Sequence, residues 1–336
     1  MKKSLPALVL LGAFAGAASA QSSVTIFGKL DQAVGKAIGR DNKEVGDTAG
    51  SRIAFRGSED LGGGMAAIFA FEHRFSPDTG GLGTGTNPNS LVGTRFWEGF
   101  SYVGMRTPYG VLTLGRQYTS SFLTVQNQVD VFAGETIAAL RDFGMGNSTV
   151  YATSGVGKIR VPDAVKYAVA FSGVTLSADM AEAPEGSPDR PYSLAANYER
   201  GPVWFGASFE NPAGANDRLA NLGVRYKIGS VTVVGGLGNG RNNADAKFKS
   251  YLLGANVAVG AGDIKVGYAN VKLGSAAVNK RFGIGYHHNL SKRTKLFVDY
   301  ARDSKGYSGN LPASIPANSE LRTEKNGYDL GIQHNF

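Results

Sequence analysis

The sequence predicts an all-β fold: a 16-stranded antiparallel transmembrane β-barrel with long extracellular loops, short periplasmic turns and an inward-folded third loop. Three observations carry it. The final segment, Asn326–Phe336, alternates large, mostly apolar residues (Tyr328, Leu330, Ile332, His334, Phe336) with small or polar ones (Asp329, Gly331, Gln333, Asn335). That is the period of a strand with one apolar and one wet face. The same alternation recurs along the whole chain in short runs. Glycine makes up 47 of 336 residues, about twice ordinary usage.

The elements follow in order. Met1-Lys2-Lys3 is a positive start, Leu5–Ala17 is apolar, and Ala18-Ser19-Ala20 is a small-residue cleavage site. The apolar run is short for a spanning helix, so residues 1–20 read as an export signal peptide. Residues 21–336 then form a single barrel domain. The first strand lies near Val24–Val34, with Val24, Ile26, Leu30 and Val34 on one face and Thr25, Lys29 and Asp31 on the other. A second, Ser51–Gly57, sets Ile53 and Phe55 against Arg52 and Arg56. The glycine-rich turn Gly62–Gly64 leads to a third, in which Phe69 and Phe71 oppose Ala70, Glu72 and Arg74.

The pattern repeats at 165–171, 174–180, 222–228, 264–268, 282–286 and 296–300. Long polar connections fall at 35–50, 76–94, 116–158, 181–191, 211–217, 238–246, 271–280 and 302–325. Eight long loops separated by short turns imply about 16 strands. A barrel of that size leaves an aqueous channel unless something fills it. The segment 116–158 carries an apolar patch (Val129, Val131, Phe132, Ile137, Leu140, Phe143) that does not suit free solvent. The simplest account folds it into the barrel as a constriction loop.

Composition excludes several classes. Cysteine is absent, which a barrel held by its strand ladder tolerates. The charge is +8, or +6 once Lys2 and Lys3 are removed with the leader. The cations are scattered at alternate strand positions, not gathered into a nucleic-acid patch. His73, His287, His288 and His334 lie on separate strands or at a turn, so neither a metal centre nor any other cofactor is expected. The glycine strings at 81–85 and 236–240 precede no helix and fail as phosphate loops. No nucleophile-elbow pattern accompanies the histidines.

At Ser51-Arg-Ile-Ala-Phe-Arg-Gly-Ser-Glu-Asp-Leu-Gly-Gly-Gly64 the chain resembles the general trimeric outer-membrane porins of β-proteobacteria, in their second strand and first periplasmic turn. Ser22–Gly28, Leu114–Gln117, His288–Thr294 and the terminal Phe336 extend the resemblance over residues 21–336. It implies a homotrimer in contact with outer-membrane lipids. It also implies passive diffusion of small hydrophilic solutes and inorganic ions, with some anion preference. Phe336 becomes an assembly signal read by the outer-membrane insertion machinery. The family's constriction sets basic wall residues against acids of the third loop. By that resemblance Arg52, Arg160 and Lys29 belong to the basic wall. Strand parity adds Arg74. The loop's acids are Asp130, Glu135 and Asp142. One departure lowers the expected anion selectivity: another wall arginine should stand about where Gly99 is, with Glu98 beside it.

Two other classes compete with a diffusion channel. A substrate-specific channel would predict saturable block by one solute class. A barrel enzyme such as a lipase needs a nucleophile and histidine near the outer rim, and His288, the one histidine with suitable parity, lies at a periplasmic turn.

Overall fold

A computed structural model describes residues 23–39, 41–82, 96–146, 156–183, 185–274, 276–304 and 324–336. The expected leader and parts of several loops lie outside them. Among the described residues the chain is almost entirely strand. The strands are β1 (Ser23–Lys36), β2 (Glu44–Gly46), β3 (Arg52–Gly62), β4 (Met65–Arg74), β5 (Ser101–Thr107) and β6 (Gly110–Tyr118). Next come β7 (Arg160–Phe171), β8 (Val174–Ala181), β9 (Tyr192–Arg200), β10 (Val203–Asn211) and β11 (Arg218–Ile228). The last are β12 (Val231–Arg241), β13 (Lys247–Val259), β14 (Gly262–Leu273), β15 (Ala276–Asn289), β16 (Thr294–Asp303) and β17 (Asn326–Asn335).

Each long strand pairs antiparallel with its neighbours in sequence, and β17 pairs with β1 to close the sheet. The short β2 and β3 pair with the same edge of β1, through Ala33–Gly35 and Ser23–Lys29 respectively. They act as one interrupted stave, which makes the seventeen strands a barrel of sixteen staves. Closure is completed by reciprocal bonds between Gly28 and Phe336, N···O 3.0 and 3.1 Å. A closed ladder leaves no unpaired backbone edge for lipid to meet.

Parity sorts the faces as the sequence predicts. Val24, Ile26, Leu222, Val224 and Leu330 point outward and are more than half exposed. Lys29, Asp31, Glu72, Asn221 and Asp329 point inward and are buried. The short turns use residues that tolerate a left-handed backbone. Ser172 and Gly173, at φ 49° and 83°, make a two-residue hairpin whose twist matches that of the flanking strands.

Two expected loops are shorter than their glycine content suggests. Strand β12 continues to Arg241, so the sixth connection is 242–246, not 238–246. Gly238 and Gly240 pair in register with Asn221 and Leu219. The seventh connection, expected at 271–280, is a tight hairpin in which Leu273 pairs with Ala276. Gly274, at φ 63°, makes the reversal, and Lys272 and Lys280, exposed on either side of it, belong to the strands rather than to a loop.

The apolar interior lies between the third loop, 119–159, and one side of the barrel wall. Val125, Val129, Phe132, Leu140, Phe143 and Met145 of the loop pack with Trp204, Leu219, Phe248, Leu252 and Val271 of the wall. The loop holds two short helices, α1 (Ser120–Thr124) and α2 (Arg141–Gly144). Thr119 caps α1 by accepting from Phe122 N, and its hydroxyl donates to the Lys158 carbonyl at 2.9 Å, drawing the loop's two ends together.

Glycine explains how the loop fits inside. Gly206, Gly223 and Gly236 are register neighbours on β10, β11 and β12. Two residues along, Gly254, Gly267, Gly283, Ala301 and Gly327 continue the row from β13 to β17. These form an inward belt nearly free of side chains. A Cβ at Gly223 would lie 2.7 Å from Val129 Cγ1, and one at Gly327 would lie 2.8 Å from Ile137 Cγ1. Leu140 occupies the space above Gly267, and Val131 that above Gly254. The belt is therefore a seat for the loop.

Candidate functional site

Polar groups fasten the loop along the same wall. Asp179 of β8 accepts from Ser120 N, and Glu210 of β10 accepts from Lys158 N. Asp329 of β17 accepts from Ile137 N at 2.8 Å. In the other direction, wall side chains donate to loop carbonyls: Asn221 to Met145 at 3.1 Å, Ser250 to Gly144 at 2.7 Å and Lys265 to Val131 at 2.7 Å. Buried backbone groups need such partners. Among the described residues the loop thus lines the wall from β8 to β17 and leaves the β3–β7 side uncovered.

Basic residues gather on that uncovered side. Lys29, Arg52 and Arg74 stand directly opposite one another across β1, β3 and β4. Arg160, at the start of β7, stands opposite Tyr118 at the end of β6. Tyr118 joins the set: its hydroxyl accepts from Arg74 at 2.9 Å and from Arg160 at 2.7 Å. The Arg160 guanidinium also lies over the Tyr118 ring, 4.4 Å from its centre, a favourable cation–π placement. Tyr118 stacks in turn on Phe122 of α1, with ring centres 5.1 Å apart. One phenol therefore orders two arginines and ties them to the loop.

Glu72 lies between Arg52 and Arg74, at 3.5 Å and 2.8 Å from their Nε atoms. Its side chain is only 4% exposed. It also occupies the space in front of Gly99, where any Cβ would collide with its carboxyl. The position expected for a further arginine is filled from the neighbouring strand by an acid. Glu98, beside it, accepts at its backbone carbonyl from Arg116 Nε at 2.9 Å.

The three loop acids part company. Asp130 turns into its own loop, accepting from the amides of Phe132, Gly134, Leu140 and Arg141 at 2.9–3.0 Å. Its burial and these four bonds make it the brace of the loop's shape rather than a charge facing the lumen, contrary to the expectation. Glu135 bonds Lys29, Lys295 and the Gln333 amide. Burial pushes the Glu135 carboxyl up, but the two ammonium groups outweigh it and hold the pKa down at about 2. Lys29, 4% exposed, is thus the partner of Glu135 rather than an open wall charge. Asp142 pairs with Arg141 at 3.0 Å. Arg141 lies over the Phe122 ring, 4.8 Å from its centre.

Sequence reading missed Glu72, Tyr118, Lys295 and Gln333. Strand parity placed Glu72 inward beside Arg74, and that was its one available signal. Lys295 and Gln333 depend on β16 and β17 closing beside β1, and Tyr118 on the side-chain directions of Arg74 and Arg160.

Comparison with known proteins agrees with this architecture. The sequence profile of the Gram-negative porin family matches residues 7–306. The chain is similar to outer membrane porin protein 32 of Delftia acidovorans, 29% identical with both chains fully covered. It is also similar to a major outer membrane protein of Pasteurella multocida strain Pm70, 25% identical over 92% of this chain and 85% of that one. Among solved structures, the anion-selective porin from Comamonas acidovorans superposes with a TM-score of 0.75 at 24% identity, covering 94% of this chain and all of that one. The trimer form of Vibrio cholerae OmpT superposes with a TM-score of 0.64 at 13% identity, covering 94% and 99%.

Proposed function

The chain belongs to the Gram-negative porin family, and from that footing we propose that its charged lumen makes it a non-specific outer-membrane diffusion channel with modest anion preference. Family and fold indicate a channel rather than an enzyme. One observation carries the ionic preference: Arg52, Arg74 and Arg160 stand on the side the loop leaves open, with Glu72 as the acid inserted among them. The loop's Glu135 is already neutralised by two lysines. Mobile anions therefore meet an excess of fixed positive charge, the usual basis of charge selection in wide pores. Glu72, set between two of the arginines, keeps that preference modest. The name of the Comamonas relative agrees with this direction.

The same reading assigns the constriction to Arg52, Arg74 and Arg160, with Glu135 and Asp142 as its loop-side acids. Reversal potentials under a potassium chloride gradient test it. Wild type should favour chloride, and Arg52→Glu or Arg160→Glu should move the ratio toward potassium. An unchanged ratio in both variants would remove these residues from the constriction.

We also propose that the protein works as a homotrimer. An outward ring cluster supports this: Phe55, Phe71 and His73 of β3 and β4 meet Phe96 and Trp97, with Phe71 and Trp97 ring centres 4.6 Å apart. Phe71→Glu should lower the trimer fraction on native gels. For Phe336, whose ring covers Gly28 beside the closing bonds, the proposed role is assembly. Deleting it should reduce the yield of assembled channels and leave the conductance of those that form unchanged.

A further inference from the structure

A second set of charges lies on the outside of the barrel, remote from the lumen. At the long-loop ends of β11 to β15, outward positions hold Arg218, Arg241, Lys247, Lys249, Lys272 and Lys280. They continue the alternate positions of Leu222, Leu237, Tyr251 and Phe282, which point outward. All but Arg241, which is half-buried, are exposed.

The register presses these cations together. Arg218 faces Arg241, and Arg241 faces Lys247, across β11, β12 and β13. One pleat repeat lower, Lys249 faces Lys272 across β13 and β14. Like charges directly opposite destabilise a sheet. The acids at this rim do little to relieve them. Asp245 holds Arg241 at 2.6 Å. Asp217 accepts from Gly214 N at 2.6 Å, and Asp189 accepts from Asn211 at 2.6 Å and from Arg190 N at 2.7 Å. Among the described residues Arg218, Lys247, Lys249, Lys272 and Lys280 form no ion pair.

Their height matches a membrane surface. Strand β13 runs outward-facing through Tyr251, Leu253, Ala255, Val257 and Val259, the last beside the short Gly260 turn. From Val259 to Lys249 a tilted strand climbs about 25 Å, the height of the apolar band of such barrels. Tyr251 and Phe282, the next outward residues below Lys249 and Lys280, supply the aromatic rings expected at the boundary. The cations therefore stand at head-group level, on staves away from the aromatic cluster of β3 and β4.

An apolar furrow meets them from below. It runs on the outer face of β8 to β12, where Ala178, Ala196, Ala207 and Ala220 leave a shallow floor between Leu194 and Leu222. Ala220 and Asn239, at its upper end, are the next outward residues below Arg218 and Arg241. A flexible hydrocarbon chain fits such a floor, and phosphate is the anion that clustered arginine and lysine bind well.

We propose that this arc is a binding site for a membrane lipid whose head group carries two phosphates. One phosphate sits on Arg218, Arg241 and Lys247, the other on Lys249 and Lys272, and an acyl chain lies in the alanine furrow. The lipid supplies the counter-charge that the opposed cations lack.

Native mass spectrometry of the detergent-solubilised protein, with EDTA present, tests it. Wild type should bind diphosphoryl lipid A more tightly than monophosphoryl lipid A, and phosphatidylethanolamine most weakly. Replacing Arg218, Lys247 and Lys249 together by glutamine should weaken diphosphoryl lipid A binding about tenfold or more. Ala207→Leu, which fills the furrow, should weaken it several-fold. Should the triple variant fail to assemble, the ranking of the three lipids on wild type decides alone. Equal binding of the three lipids, binding that requires magnesium, or unchanged affinity in either assembled variant would each overturn the proposal. The wild-type reversal potential is read in bilayers without lipid A, so failure here leaves the channel reading standing.

Discussion

Glu72 sets how much of the charge on Arg52 and Arg74 reaches the lumen. One carboxylate shared by two guanidiniums leaves a net cation, reinforced by Arg160 beyond Tyr118. Replacing it with glutamine keeps the shape and removes the negative charge. Glu72→Gln should therefore raise the chloride-to-potassium permeability ratio, read from reversal potentials; a fall would contradict the placement. Glu135 makes a prediction about acid. Its folded pKa, about 2, lies below the ordinary 4.5, so its ion pairs contribute full stability above the ordinary value and lose it as pH falls toward 2. The unfolding-temperature gap between wild type and Glu135→Gln should be constant from pH 7 to 5 and shrink below pH 4. A gap independent of pH down to 2 would contradict the pairing. At this scale the sequence was half readable. Parity marked Arg52 and Arg74 as one face of their strands, and the family resemblance singled out Arg160. Neither could tell that Lys29 meets a glutamate 106 positions away, or that Asp130 turns its carboxylate onto its own loop.

For the elements, legibility followed chemistry. Strands were visible because water on one side and lipid on the other impose a period of two. The short hairpin at Gly274 was not, because Lys272, Asn279 and Lys280 at the strand ends break the apolar alternation and resemble loop residues. The glycine seat was hidden for a different reason: a missing side chain signals a neighbour but does not say which. It gives a direct test. In Gly267→Leu the new side chain and Leu140 compete for one volume, and overpacking of this kind costs about 1–3 kcal/mol. The loop should be pushed off the wall toward the lumen, lowering single-channel conductance; an unaltered conductance would mean that the loop does not rest there. On the other face, Val224→Lys places an ammonium where the side chain is 58% exposed to the lipid side, at about 2–4 kcal/mol near the bilayer midplane. Heat-stability of the folded species on gels would show it.

Taken as a whole, the molecule is a closed ladder whose selectivity rests on charges fixed around water. Such fields reach about 10 Å in 0.1 M salt and about 3 Å in 1 M. The permeability ratio should therefore relax toward unity between those concentrations, and a ratio insensitive to salt would favour a binding mechanism over a field. Barrel closure and the number of staves were legible from alternation and loop spacing, and the inward third loop from its apolar patch. The division of the lumen into a loop-covered side and a basic side was not, since it depends on where β17 meets β1.

The glycine seat also divides labour along the chain. Strands β10 to β17 must satisfy lipid, and their inner surface along this belt carries almost no side chains of its own. The shape of the aperture is written instead in one connecting segment of modest length. Aperture and membrane fit can then change in separate steps of descent: a substitution in the loop alters passage without disturbing a lipid contact. A lineage that meets a new solute need redraw only the inlay, while the frame that survives the bilayer is inherited unaltered.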